Sequence, residues 1–480
     1  MFNDAPTAPI ASRPRRRWRV RLLLVGVPIL ALVLSGVVWL IRANLGLQAA
    51  IDEADRLDPR WRLEEIEADR FTPPPGQNAA DKIAAIQRLR PPRPWPHYKK
   101  VQLFNDVPPV NQLNDEQIAA LKELLEPDGP ALAEARSLID TPSGRHPIVY
   151  SPDWIGTLLP LLDGNRMANF HLRLDVFDRV QMGDADGAVR SCHAAFHAGS
   201  SIGDEPFMAS QNTRIACQMN AIALLERTLA QGEPSDALLG ALQARIEAVE
   251  STPLLLYSLR GERAGRYQFF GAIRDGTLPT NSAIASLGMG TTAPPELEYL
   301  FNAPGFILLQ QTSHLRHITA LVDIARLPPE QWAEPLATQH TKTAGLSVVV
   351  RHLFSPEIRI AQSFQRNHGT LRCAIVAIVA IAAERYRRSK GGWPATPDSL
   401  VIAGLLKSVP TDPFAAGQRI KFAPRPDGLT VYSVGENGID DGGNLTKDVS
   451  GIGADLGFRL WDVAARRQPP LPPKPAEGPP

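Results

Sequence analysis

Cysteine is scarce in this chain: Cys192, Cys217 and Cys373 are the only three in 480 residues. No pair has the Cys-x-x-Cys spacing, so zinc-ribbon and thioredoxin-type readings have no basis. Each lies in an apolar helical context, where a buried thiol is the expectation; one disulfide in an oxidising compartment is the alternative. Excess charge is equally scarce. The net charge is +1, and the charge is unevenly placed: six arginines face one acid in the first 21 residues, leaving 45 basic and 49 acidic side chains beyond. A near-neutral body gives no electrostatic reason to bind nucleic acid.

The sequence also lacks complete catalytic sets. Gly199-Ser200-Ser201-Ile202-Gly203 matches the letters of a nucleophile elbow. The strand that must precede the serine is missing, because a helical pattern runs up to Gly199, which reads as its C-cap. His193 and His197, beside Cys192, share one helix face at i and i+4, a spacing that can hold a metal. No further ligand set accompanies them, nor His314 and His317, so structural histidines are expected at both places. Arg260-Gly261-Glu262-Arg263 reads as a solvated or interdomain ion-pair face on a helix.

Proline, by contrast, is plentiful at 44 residues, and hydrophobic and charged contents of 44% and 21% are those of a globular protein. The length suggests two or three domains. Leu22 to Ile41 is twenty residues without a charge, and as a helix it spans about 30 Å, the thickness of a bilayer core. Trp18 and Trp39 lie near its ends, where indoles favour the interface. The arginines before it and the single Arg42 after it place the N-terminus in the cytoplasm and the bulk outside an inner membrane. A cleaved signal peptide is the rival, but its apolar region is shorter and ends in small residues, unlike Arg42-Ala43-Asn44. An uncleaved signal anchor is the expectation.

Beyond the span the pattern is helical. Asn44 to Ile66 is amphipathic with a break at Asp58-Pro59. Asn114-Asp115-Glu116-Gln117 has the residues of a capping box. Helix, Gly-acid, helix junctions at Gly183-Asp184 and Gly232-Glu233 predict hairpins, with Ser235 as the second cap, but no steady repeat period. Residues 275–295 read as a loop. Ser355-Pro356-Glu357 starts a long helix reaching about Lys390, whose Cys373–Ala383 part is apolar nearly all round and reads as buried core. Short strands follow at Arg419–Phe422, Leu429–Val434 and Phe458–Trp461. Residues 466–480 read as a disordered or polyproline tail.

Near the end, Asn437, Asp440, Asp441, Asn444 and Asp448 lie within twelve residues of a Gly-rich loop. Hard oxygens on such a loop suit calcium, while the bland reading is a solvated turn. The long helix ending Ala383-Glu384-Arg385-Tyr386, then Gly392-Trp393-Pro394, Asp412-Pro413-Phe414 and Tyr432-Ser433-Val434-Gly435 resembles the C-terminal half of type II secretion major pseudopilins. The resemblance covers residues 370–462, about a fifth of the chain. It implies a small α+β domain and calcium held through Ser433, Asn437, Asp440, Asp441 and Asp448. Trp393 stands where that family has tyrosine, Ala415 where it has glycine, and Asn437 where it has aspartate. A prepilin cleavage motif does not precede the apolar span, and that span lies more than 300 residues before the long helix. A polymerising pilin subunit is therefore not implied. The whole layout, including Asp55 to Glu64 and Arg260 to Ala264, resembles membrane-anchored proteins of planctomycete-type bacteria, which implies no activity.

The sequence thus predicts a mainly α protein with an N-terminal transmembrane helix and a small C-terminal α+β pseudopilin-like domain. The expected divisions are a cytoplasmic tail at 1–21, the anchor at 22–41, a helical domain at 42–354, the α+β domain at 355–465 and the tail at 466–480. The expected role is a non-enzymatic binding or scaffold protein, or a secretion-associated component of the envelope. Its partners would be the lipid bilayer through residues 22–41 and other envelope proteins, with no nucleic acid. The alternative is a membrane-tethered hydrolase or metalloenzyme built on Ser201 or on Cys192, His193 and His197.

Overall fold

The computed structural model describes residues 15–89, 98–289, 295–343, 356–415, 417–435, 437–445 and 455–472. The chain is mainly helical, with one small antiparallel sheet near its C-terminus. The helices are α1 (Arg15–Leu57), α2 (Leu63–Asp69), α3 (Ala79–Leu89), α4 (Tyr98–Gln102), α5 (Asp115–Leu125), α6 (Gly129–Ser137), α7 (Leu161–Met182), α8 (Ala185–Ser200) and α9 (Met208–Gln231). They continue as α10 (Asp236–Glu250), α11 (Leu254–Arg274), α12 (Thr280–Ile284), α13 (Pro295–Phe301), α14 (Pro304–Ala325), α15 (Ala333–Thr343), α16 (Pro356–Lys390) and α17 (Asp398–Ile402). Two compact units result.

The first unit comprises residues 1–59, 152–155 and 266–317. Helix α1 is continuous through Pro28 and long and apolar enough to cross a membrane. Its apolar residues Leu24 to Ile41 are exposed, whereas Ala43, Leu47, Ala50 and Ala54 are buried. The change comes where one helix passes from an all-apolar surface to a single apolar stripe. Ala43 and Leu47 pack on Leu308 of α14, with Ile51 and Tyr267 beside them. Residues 275–295, expected to be a loop, contain α12 and a π-helical turn, Ala285–Met289. Ser286 Oγ holds that turn by donating to Asp153, at 2.6 Å.

The second unit is built on the antiparallel run α7–α8–α9, with α10 and α16 packed against it. Gly183 ends α7 in the left-handed region at φ 82°, and Asp184 then caps α8 by accepting from Gly187 N at 2.8 Å. The expected side-chain cap from Ser235 is not made; its own backbone N–H donates to Asp186, at 2.6 Å, and so ties the two junctions together. The capping box at Asn114 and Gln117 forms as its spacing predicts. Residues Ala374 to Ala383 of α16 are buried on every side, since a helix without a polar face is stable only inside a core.

Strands β1 (Lys421–Arg425), β2 (Gly428–Ser433) and β3 (Leu456–Trp461) form an antiparallel sheet in that order. Phe422 pairs with Val431, and Val431 in turn with Phe458. The sheet packs on α9 and α16, and one core runs from α3 through α7–α10 into α16 and all three strands. That core runs across the expected boundary at 354/355: the α+β segment shares its interior with the helical hairpins. The tail expectation is corrected over 466–472. Gln468 forms a parallel bridge with Asn111, Asn111 Nδ2 donates to the Pro469 carbonyl, and Arg467 donates to the Val180 and Gln181 carbonyls. Proline-rich chain lacks donors, but its carbonyls remain free to accept from a neighbour.

Candidate functional site

The most specific sequence feature was the C-terminal constellation, and its residues divide into a frame and a loop. The frame centres on Asp412, buried in the turn after Pro410. Its carboxylate accepts from Phe414 N (3.0 Å), Ser433 Oγ (2.7 Å) and Val434 N (2.8 Å), so it pins the Asp-Pro-Phe turn to the end of β2. Trp393 Nε1 donates to Asp462 at 2.6 Å, and the Arg387 guanidinium lies 5.4 Å above the indole. Glu384, wholly buried, accepts from Arg387 at 2.7 Å and from Arg466 at 3.0 Å. Arg466 also reaches the carbonyls of Gly232 and Trp461. A short ring of ion pairs and hydrogen bonds thus holds the long helix, the sheet and the chain after β3 together.

The loop is built by backbone turns and by the protein's own cations. Asn437 Oδ1 accepts from Ile439 N, an Asx turn. Gly442 and Gly443 take positive φ values of 66° and 75°, the region open to glycine. Asp440 accepts from Lys421 Nζ (2.8 Å), Tyr432 OH (3.0 Å) and Gly442 N (3.0 Å). Arg425 donates to the carbonyls of Gly442 and Gly443. Asp455 closes the loop by accepting from Asp441 N (3.3 Å) and Gly443 N (2.6 Å). The hydrogen-bonded Lys421 ammonium holds the Asp440 carboxyl below the usual range. Burial first, then the charges of Asp440 and Asp441, raise that of Asp455.

Of the five residues expected to hold calcium, Asp440 and Asp441 are brought to one turn, together with Asp455. Asp455, the residue before β3, lies outside the twelve-residue run and carries no local signal of its part in the loop. Ser433 faces Asp412 in the interior, and Asn437 serves its own turn. Asp448 lies outside the described residues. Among the described residues no group of three His, Cys, Asp or Glu side chains has the geometry to hold a metal ion.

The other candidates are closed by their surroundings. Ser201 follows α8, which runs through Gly199 to Ser200, and its hydroxyl donates to Ala198 O at 2.8 Å and accepts from Asn165 at 2.6 Å. The His193 and His197 rings meet edge to face at 4.6 Å, and His197 Nδ1 lies 2.9 Å from Leu138 O. Burial, with Arg245 nearby, holds His193 down to about 4 and His197 down to about 3. Cys192 and Cys217 are buried free thiols, raised by burial to about 12. His314 stacks on Phe270 at 5.1 Å, and burial lowers it well below its ordinary value. The side chain of Cys373 is outside the described residues.

The histidine pair makes stability fall with acidity. The unfolded imidazoles take up protons as pH drops below about 6.5, while the folded ones resist until about 4 and about 3. Stability is therefore full above pH 6.5 and decreases by up to about 1.4 kcal/mol per pH unit for each ring below it. Urea unfolding at pH 7.5 and 5 should show a smaller difference in His193→Gln/His197→Gln than in the wild type. Equal differences would remove the pair as a source of acid sensitivity.

Two polar assemblies escaped the sequence because their members are far apart along it. Glu67 accepts from Tyr150 OH (2.5 Å), Arg145 (2.8 Å) and Arg70 (3.1 Å), and His146 Nδ1 lies 2.8 Å from buried Glu205. Trp61, fully buried, lies beneath the Arg263 guanidinium at 5.4 Å, and Arg260 donates to the Arg60 carbonyl at 2.9 Å. Between those arginines Gly261 is met by the Pro206 carbonyl so closely that a Cβ would overlap it. Arg260 to Arg263 thus joins α11 to the segment starting α2. A separate open groove of about 440 Å³ lies between Gln102, Leu103, Asn114 and Gln117 on one side and Leu471 and Pro472 on the other. No protein-family model, curated protein or solved structure matches the chain.

Proposed function

We propose that the protein is a single-pass, inner-membrane-anchored extracytoplasmic scaffold with a binding role in the envelope. The observation that carries this reading is the two-part character of α1: its first half is an unpacked apolar rod, and its next turns are built into a folded unit. The helix passes Arg42 without interruption, which favours an anchor over a leader that must present an extended cleavage site. The arginines from Arg13 to Arg21 favour a cytoplasmic N-terminus. A binding rather than catalytic role is supported by the internal hydrogen bonds of the Ser201 hydroxyl and by the burial of Cys192 and His197. Deleting residues 2–42 should move the protein from the membrane pellet to the soluble fraction; retention in the pellet would overturn the anchor. In-cell crosslinking of the full chain should then capture envelope proteins, whereas turnover of a substrate lost on Ser201→Ala would favour a hydrolase.

Calcium forms part of this proposal as a stabilising ligand of the loop that bears Asp440 and Asp441, where it would compete with the Lys421 ammonium. Millimolar calcium should raise the thermal midpoint of the wild type and not of Asp440→Asn. An unchanged wild type would leave the loop braced by Lys421 and Arg425 alone.

A further inference from the structure

The first unit carries a second apolar surface beside the anchor. Helix α14 runs parallel to α1. Gly305 takes the Trp39 ring against its backbone, where a Cβ would overlap it; Leu308 packs on Ala43 and Leu47; Arg316 faces Glu53 at 3.8 Å. The start of α14 is therefore level with Trp39, two residues before the uncharged stretch ends. At a rise of about 1.5 Å per residue, Leu309 stands about 6 Å beyond that level, within a headgroup layer about 5–8 Å deep. Tyr299, Leu300 and Leu309 are 78%, 41% and 42% exposed. Only Asn302 and Ala303 separate α13 from α14, and the Phe301 and Phe306 rings, 6.0 Å apart, hold the corner. Asn302 is tied to Thr280 at 2.8 Å.

We infer that the α13–α14 corner is a second membrane contact, with Tyr299, Leu300 and Leu309 seated in the outer headgroup layer next to the anchor. This rests on the anchor reading. An aromatic with a polar tip and two leucines suit that layer, and the acidic Glu298 at the exposed edge keeps the contact shallow. Contact at two places fixes the tilt of the first unit, which a lone helix leaves free to swivel. The partner committed to is the lipid surface itself, because Gly305, at the start of α14, lies against Trp39 near the end of the exposed apolar span of α1.

The test uses the full chain in vesicles of phosphatidylethanolamine and phosphatidylglycerol, in a Cys373→Ala background whose thermal midpoint matches the wild type. Leu34→Cys, Tyr299→Cys and Glu53→Cys are each labelled with an environment-sensitive fluorophore, and lipids carrying a nitroxide at the headgroup and along the acyl chain are together the quencher. Quenching at 299 should be at least about half that at 34, and at 53 below about a tenth of it. Strong quenching at 34 with 299 no different from 53 would overturn the corner contact and leave the anchor standing. Absence of quenching at 34 would overturn the anchor and the corner contact with it.

Discussion

Glu384→Ala should cost about 3–5 kcal/mol of stability, because it strands a buried guanidinium. Glu384 is wholly buried and Arg466 is 7% exposed; the two share both carboxylate oxygens at 3.0 Å. Arg387 has a second acid, Glu233, to fall back on, whereas Arg466 would keep only the carbonyls of Gly232 and Trp461. Carbonyl dipoles hold a cation less well than a full charge does in a dry site. Chemical denaturation should show the loss, and proteolysis should open the chain after β3 first, since Arg466 leads into the docked 467–472 segment. The double variant Glu384→Leu/Arg466→Leu should recover more than half of it, because a pair removed together leaves no stranded charge. A double variant as unstable as the single one would mean that packing at these positions, and not charge, carries the effect.

Gly261→Ala should cost about 3 kcal/mol or abolish folding, against a gain of about 0.5–1 kcal/mol for Gly271→Ala on the same helix. Both glycines are interior to α11, so helix propensity alone predicts that alanine stabilises each. The tertiary neighbours decide otherwise. At Gly261 the new methyl meets the carbonyl, carbonyl carbon and Cβ of Pro206, which are backbone and ring atoms that cannot rotate away. At Gly271 it meets only Gln311 Nε2, at 3.7 Å, an ordinary contact. Thermal unfolding of the two variants side by side measures the contrast. Equal effects would show that Pro206 yields, and that the Arg260–Arg263 segment is less tightly seated against Trp61 than described.

What could be read in the sequence was whatever depends on neighbours within a few residues. The apolar run of α1, the capping box at Asn114, the glycine stop at Gly183 and the all-apolar stretch of α16 each state their structure locally, because helix periodicity and capping act over a turn or two. The three strands were legible within a few residues for the same reason. Only the tertiary structure decided which polar residues are paired. Glu384 with Arg466, Asp412 with Ser433, Asp440 with Lys421 and Glu67 with Tyr150 lie from about twenty to more than eighty residues apart. Burial, which sets both the cost of a lone charge and the value of its partner, is a property of the assembled core and has no local signature. The candidate cation loop shows the division most clearly. Its acids and glycines were visible as composition, but the lysine and the arginine that brace it come from β1, and Asp455 from the residue before β3. Whether an acidic turn is open to a cation is decided by strand register, which brings Lys421 opposite Tyr432 and both beside Asp440.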